Sequence, residues 1–253
     1  MLKVDRRTLA ARLWRMGEHA REFHRQRCRE ASALLKSGGV FQLDELETYE
    51  TDRRLQPLTV SVLIHRYRYF VIHAAVGTLP CRGSLAPHLR KKKVEREKVF
   101  GKRRSESRKI VTETFQALKD LLSKDDCPVV QSDGKKTYPR IMKSVFGQHG
   151  FEHRVEPSKG PRNRNHPLFP INHTLAQMRD NISRLVRRNW GVSKRRQWLV
   201  PHLWLWILWR NYLRPIVAEG NPPTPGELVG ASTGRLTAED VFRWRIFSSR
   251  DLQ

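Results

Sequence analysis

Acidic residues are scarce in this sequence: 25 Asp and Glu stand against 49 Lys and Arg in 253 residues, a net charge of +24. An imbalance of that size points to an anionic polymer as partner, nucleic acid ahead of a membrane surface. Cysteine is sparse too. Cys28, Cys81 and Cys127 lie far apart with no C-x-x-C pair, which argues against a disulfide framework or zinc ribbon and for a reducing, cytoplasmic, nucleoid-associated setting. Long apolar runs are missing. The longest, WLVPHLWLWILW at 198–209, holds a proline and a histidine and is too short to cross a bilayer. Interfacial binding through Trp198, Trp204, Trp206 and Trp209 is the alternative to a buried helix there. Residues 1–15 are cationic without a continuous apolar stretch, so no signal peptide is expected. No internal repeat is present.

What the chain does have is enough to build a core. A hydrophobic fraction of 38% with seven tryptophans and ten phenylalanines excludes a wholly disordered basic tail. Residues 1–37 read as a basic helical segment, with Leu9, Leu13, Met16 and Ala20 at three- and four-residue steps, closed by Gly38-Gly39. Three strand-like runs follow: Val40–Tyr49, Leu58–His65 and Tyr69–Val76. Their short connections predict antiparallel pairing. Residues 82–104, with RKKK at 90–93 and KRR at 102–104, show no apolar periodicity and read as a flexible cationic insertion.

Beyond it the pattern predicts a helix over Ser107–Leu122, a buried strand at Pro128–Gln131, a helix over Lys136–Phe146 and a strand at Phe151–Val155. A loop follows at Pro157–Pro170, then long helices over about His173–Trp190 and Trp198–Val217. From 218 a tail carries one short helix around Ala238–Arg243. The order β-β-β-α-β-α-β-α-α predicts an α/β protein with a ribonuclease-H-like core over 38–217. Its sheet would be mixed: three antiparallel strands, then alternating α and β, with helical extensions at both ends.

Two aspartates stand out. Asp44 lies mid-strand in FQLDELETY, where a carboxylate is costly unless paired or metal-bound. The plain alternative makes Asp44, Glu45 and Glu47 a solvated edge. Asp133 ends the PVVQ strand in Ser132-Asp133-Gly134, at a strand terminus of the kind that builds sites and equally an ordinary turn. In the ribonuclease-H order the first and fourth strands are neighbours, so the two carboxylates would meet. Convergent carboxylates hold Mg²⁺, and two such ions serve a phosphodiester displacement. The helix expected to bring a third acid holds only Asp180, which could equally pair with Arg184 one turn on.

The stretches LDELETY, QSDGKKTY and NHTLAQMRDNISRLVRRNWGVSK, within about 40–215, resemble DDE-type insertion-sequence transposases, nearest the insertion sequence one and zinc-ribbon group. Asp44, Glu45 and Tyr49 match the family's D-E-x-x-x-Y strand, and Asp133 and Tyr138 its second aspartate and following tyrosine. Arg179–Arg188 and Ser193-Lys194 match its arginine-rich final helix. The resemblance implies Mg²⁺-dependent DNA cleavage and strand transfer at transposon ends, with Asp44 and Asp133 as metal ligands. It places Asn172 where the family has a catalytic glutamate; Asp180, eight residues and about 12 Å further along a helix, is the competing third position. The zinc ribbon and helix-turn-helix usual at the family's N-terminus have no counterpart here, which reads as an N-terminal truncation, a misassigned start, or a variant that recognises DNA otherwise.

DNA contacts are expected from Arg184, Arg187, Arg188, Trp190, Lys194, Arg195, Arg196, Lys135 and Lys136, cations interleaved with aromatics beside the proposed site. Trp204 and Trp206 are expected in the core, and His149 and His173 in structural or solvated roles. A catalytically silent DNA-binding remnant and a basic RNA-binding protein are the rival readings. A homodimer is left open, and no membrane partner is expected.

Overall fold

A computed structural model describes residues 5–31, 33, 35, 39–123, 125–147, 150–157, 163–186, 195–217 and 219–244. Its centre is a five-stranded sheet built from β1 (Val40–Tyr49), β2 (Pro57–His65), β3 (Val71–Thr78), β4 (Val129–Ser132) and β5 (Glu152–Val155). The order across the sheet is β3-β2-β1-β4-β5. β1–β2 and β2–β3 pair antiparallel, while β4 runs parallel to β1 and β5 parallel to β4. This is the mixed, ribonuclease-H-like arrangement expected from element order. All nine residues of β2 are buried, as a central strand covered on both faces requires.

Helices flank both faces. On one face lies α3 (Ser107–Lys119), which buries Ile110, Val111, Thr114, Phe115 and Leu118 as a single stripe, beside α4 (Tyr138–Phe146). The other carries α5 (Phe169–Asn181) against β1. It also carries α1 (Arg6–Glu30), paired with α6 (Leu199–Leu208). Asp5 caps α1 by accepting from the Arg7 amide at 2.7 Å. Gly17 lets α1 meet α6 closely: a Cβ there would stand 2.3 Å from that of Pro201. Trp204 and Trp206 are buried, as expected of core residues. The segment 219–244 carries α7 (Pro225–Leu228) and α8 (Ala238–Arg243). It packs back on α1, with the Val241 carbonyl 2.8 Å from His19 and Trp244 edge-on to Phe23.

Two expectations are corrected. The stretch 82–104 contains a regular helix, α2 (Pro87–Phe100), that buries nothing. Pro87 sets its first turn, and a run of good helix formers carries the rest without a packed face. The helix expected to reach Trp190 instead starts at Phe169 and ends at Asn181. The Asn181 side chain donates to the Gln177 carbonyl at 2.7 Å, and the extended backbone of Ile182 leads into a short 3-10 turn, Ser183–Leu185. Ile182 and Leu185 are buried there, an apolar gain that competes with continuing the helix. All three thiols are free. Among the described residues no helix is long and apolar enough to cross a membrane.

Candidate active site

The site grows from a repeated triplet, Gln42-Leu43-Asp44 in β1 and Gln131-Ser132-Asp133 at the end of β4. Gln42 and Gln131 are register partners in adjacent parallel strands. Two residues further along each chain stand Asp44 and Asp133, and both line one cavity of about 640 Å³. The fully buried Gln42 amide donates to Gln131 Oε1 at 2.9 Å and to the Pro167 carbonyl at 2.7 Å. Its own Oε1 accepts from the Ile171 amide at 3.1 Å. The glutamine pair therefore clamps the first turn of α5 to the sheet, and Asn172, the next residue, lines the same cavity.

Asp44, Asp133 and Asn172 are thus brought together, and Asp180 is not. Asp180 lies exposed near the end of α5 and is not among the residues that line the cavity. Because α5 stops at Asn181, Arg184 no longer stands one helical turn beyond Asp180. Arg179, seven residues and about two turns after Asn172, also borders the cavity. His166 and His173 border it as well. His166 accepts from the Leu168 amide through Nδ1 at 3.1 Å and lies 3.3 Å from the Pro157 carbonyl through Nε2, a structural role. His173 stacks on Phe169 with centroids 5.5 Å apart. Burial, then the charges of Arg210, Arg214 and Arg164, lower its pKa, so it stays neutral near pH 7.

Glu45 points to the opposite face from Asp44, as strand alternation demands. Its Oε1 accepts from Ser107 Oγ at 2.7 Å and Thr59 Oγ1 at 3.1 Å. Its Oε2 accepts from Tyr138 OH at 3.0 Å and pairs with Lys135. Burial, followed by the charges of Glu45, Asp44 and Asp133, pushes the Tyr138 hydroxyl far above its ordinary range, which keeps it a donor. The D-E strand and the D-x-x-x-x-Y turn therefore meet through Glu45 and Tyr138. That contact holds the turn carrying Asp133 against β1. Sequence reasoning missed the Glu45 network and the glutamine clamp; the shared Gln-x-Asp spacing was the signal available for the clamp.

The expected DNA-contacting cations divide. Lys135 is engaged with Glu45 and with Ser107 Oγ at 2.9 Å. Arg196 pairs with Glu106, and its amide donates to Glu50. Arg184 is half-buried, and burial lowers its pKa. Lys135 and Arg196 thus pair with carboxylates while keeping 36% and 40% of their side chains exposed. Lys136 and Arg195 are exposed. Arg187, Arg188, Trp190 and Lys194, and likewise His149, lie outside the described residues.

No protein-family model and no curated protein matches the chain. Among solved structures it is similar to the catalytic domain of the Mos1 transposase, solved with raltegravir and Mg. The identity is 9%, the overlap covers 75% of this chain and 91% of that one, and the TM-score is 0.28. An overlap that loose adds nothing to the chemistry, which rests on this chain's own residues.

Proposed function

We propose that this protein cleaves DNA and transfers the cut strand in the manner of a DDE-type transposase, with Asp44 and Asp133 holding a divalent ion. One observation carries the reading: Asp44 and Asp133 follow register-paired glutamines and border one cavity with Asn172. Two carboxylates and an amide carbonyl form an all-oxygen donor set. It suits one Mg²⁺ whose remaining positions go to water and phosphate oxygens. Among the described residues no group of three His, Cys, Asp or Glu gathers to hold a metal, so the donors to an ion here are the two carboxylates and the Asn172 carbonyl. A bound ion would supply positive charge to a phosphate oxygen.

The chain's own residues do the positioning. Asp44 and Asp133 fix the charge at the cavity floor, and the glutamine clamp sets the height of Asn172. Arg179 brings a guanidinium to the wall where a phosphate would sit, adding charge stabilisation. Water would attack the phosphorus in line and displace the 3′ oxygen as a free hydroxyl. That hydroxyl would then attack a target phosphorus and displace the target's own 3′ oxygen, with catalysis coming mostly from alignment and charge. The test incubates the purified chain with duplex DNA and Mg²⁺ or Mn²⁺ and follows strand cleavage and joining. Asp44→Asn and Asp133→Asn are expected to abolish both while leaving DNA binding intact. Activity that survives both substitutions removes the mechanism.

A second reading is favoured by one specific feature, the neutral Asn172 at the third position. It makes the chain a DNA-binding relative that has lost cleavage. A wild type that binds but does not cut, together with an Asn172→Glu variant that cuts, is its signature.

A further inference from the structure

We propose that α2 is a DNA-backbone-binding arm, a projecting helix kept for its charge alone, which seats in a groove of duplex DNA and contacts phosphates without reading bases. This rests on the proposed DNA substrate and names the surface that grips it. Of the 14 residues in α2, six are cations (Arg90, Lys91, Lys92, Lys93, Arg96, Lys98) against two acids, Glu95 and Glu97, and none is buried. Leu89, Val94 and Val99 are five residues apart, so each points about 140° round from the last. They form no apolar stripe of the kind that a partner groove or a lipid surface requires. The cations are likewise spread around the whole circumference. A helix positive on every side matches a slot with negative walls, and the DNA major groove, about 12 Å wide between its phosphate rows, is close to a helix diameter. Aromatics on which unpaired bases could stack are nearly absent, Phe100 alone standing at the end of the helix, which favours duplex over single strand.

The way the arm is attached supports a role outside the core. The chain leaves the sheet at Thr78 and returns at Glu106, and these two residues close its base. The Glu106 amide donates to the Thr78 carbonyl, and the Thr78 amide to Glu106 Oε2, each at 2.8 Å. Burial alone would raise the Glu106 pKa, but Thr78 and Arg196 outweigh it and hold the carboxyl below its ordinary value. Arg103 ties the returning chain to Glu50 at 2.9 Å and to the Leu79 and Pro57 carbonyls at 3.0 Å. The excursion over 79–105 thus leaves and rejoins the body at one place, with Leu79 and Leu85 buried near its base and α2 itself burying nothing. Thr78 pairs with Leu58, which pairs with Thr48, four residues on from Asp44. The base therefore stands roughly 15–20 Å from Asp44 at strand rise and spacing, within a few base pairs of the cavity on one duplex.

The test is a triple variant, Lys91→Gln, Lys92→Gln and Lys98→Gln, all at exposed positions. Binding to a 30-base-pair duplex is measured by fluorescence anisotropy across a salt series, with Asp44→Asn in parallel. The arm predicts unchanged thermal unfolding, affinity roughly tenfold weaker near 0.1 M salt, and a log–log salt slope shallower by about 0.9 for each phosphate that is no longer neutralised. Asp44→Asn should leave that slope alone. Equal affinity and slope in the triple variant overturn the arm even if cleavage is found. A weakened, shallower variant in a protein that never cleaves DNA keeps the arm and removes the enzyme. Tighter binding to double-stranded RNA of the same length overturns the assignment to DNA.

Discussion

Gln42 and Gln131 join side chain to side chain at 2.9 Å, two residues before Asp44 and Asp133 respectively. One amide pair thus does two jobs. It locks the register of β1 against β4, and through Pro167 and Ile171 it seats the helix that carries Asn172. A buried amide is tolerable only when its donors and acceptors are filled, and Gln42 divides them among three separate segments. Gln42→Ala would leave Gln131, the Pro167 carbonyl and the Ile171 amide short of partners in a buried site. The expected loss is about 2–4 kcal/mol, measured by urea unfolding. A paired change of both glutamines to Leu should cost less than the sum of the two single changes, because it leaves fewer orphaned groups. Strict additivity would mean that the two amides do not act as a unit.

Asn172 and Asp180 make opposite predictions for metal binding. Asn172 borders the cavity with both acids, so Asn172→Asp would add a third carboxylate to the same ion. Affinity for Mn²⁺, read by calorimetric titration, should rise roughly tenfold, about 1.4 kcal/mol. Asp180→Ala should leave it unchanged, since that side chain is exposed and lies outside the cavity. A reversal of these two results would place the third ligand on the far end of α5.

Tyr138 and Glu45 give a structural prediction separable from chemistry. Tyr138→Phe removes one donor from a carboxylate that keeps Lys135, Ser107 and Thr59. It should cost about 1–2 kcal/mol of stability, with metal affinity nearly unchanged. Glu45→Gln should cost more, because Lys135 loses its ionic partner while Tyr138 and Ser107 compete for a weaker acceptor. Equal effects on stability from the two variants would argue against Glu45 as the hub.

Much of the sheet was legible because its first three strands are runs of eight to ten residues rich in apolar side chains. Val40–Tyr49 matches its expected limits, β2 starts one residue early, and β3 is shifted by two. The neighbouring of β1 and β4, and with it the meeting of Asp44 and Asp133, followed from element order. The helices were harder. α2 has no hydrophobic period, so a reading built on periodicity finds only a charged coil. α5 ends where Ile182 and Leu185 turn into the core, a tertiary competition that local pattern does not display. Choosing between Asn172 and Asp180 needed the helix start, and that start is fixed by Gln42, 125 residues from its Pro167 partner. The cations misled for a related reason. A lysine reads as a surface charge until its carboxylate is found, and the partner of Lys135 is Glu45, 90 residues away.

The pH dependence of folding should be set in part by His24. This ring is fully buried between α1, β3 and the turn after α6, with Nε2 3.0 Å from the Ile72 carbonyl and Nδ1 3.0 Å from Tyr212 OH. A neutral ring satisfies both contacts, with Nε2–H donating to the carbonyl and Nδ1 accepting from the hydroxyl. Burial lowers its pKa from 6.5 to about 4, outweighing the Ile72 carbonyl, with nearby His73 lowering it further. Above pH 6.5 the ring is neutral folded or unfolded and contributes no slope. Between 6.5 and 4 the unfolded chain takes up the proton and the folded chain does not, so stability falls as pH falls. From pH 7 to pH 5 this amounts to about 2 kcal/mol. His65, lowered to about 4 by burial and then by Arg68, adds a loss of the same sign. His24→Gln keeps a donor and an acceptor but cannot titrate, so it should remove about 2 kcal/mol of the loss between pH 7 and pH 5 in urea unfolding. A slope left intact by that substitution would mean that the His24 ring is already protonated in the folded protein, or open to water.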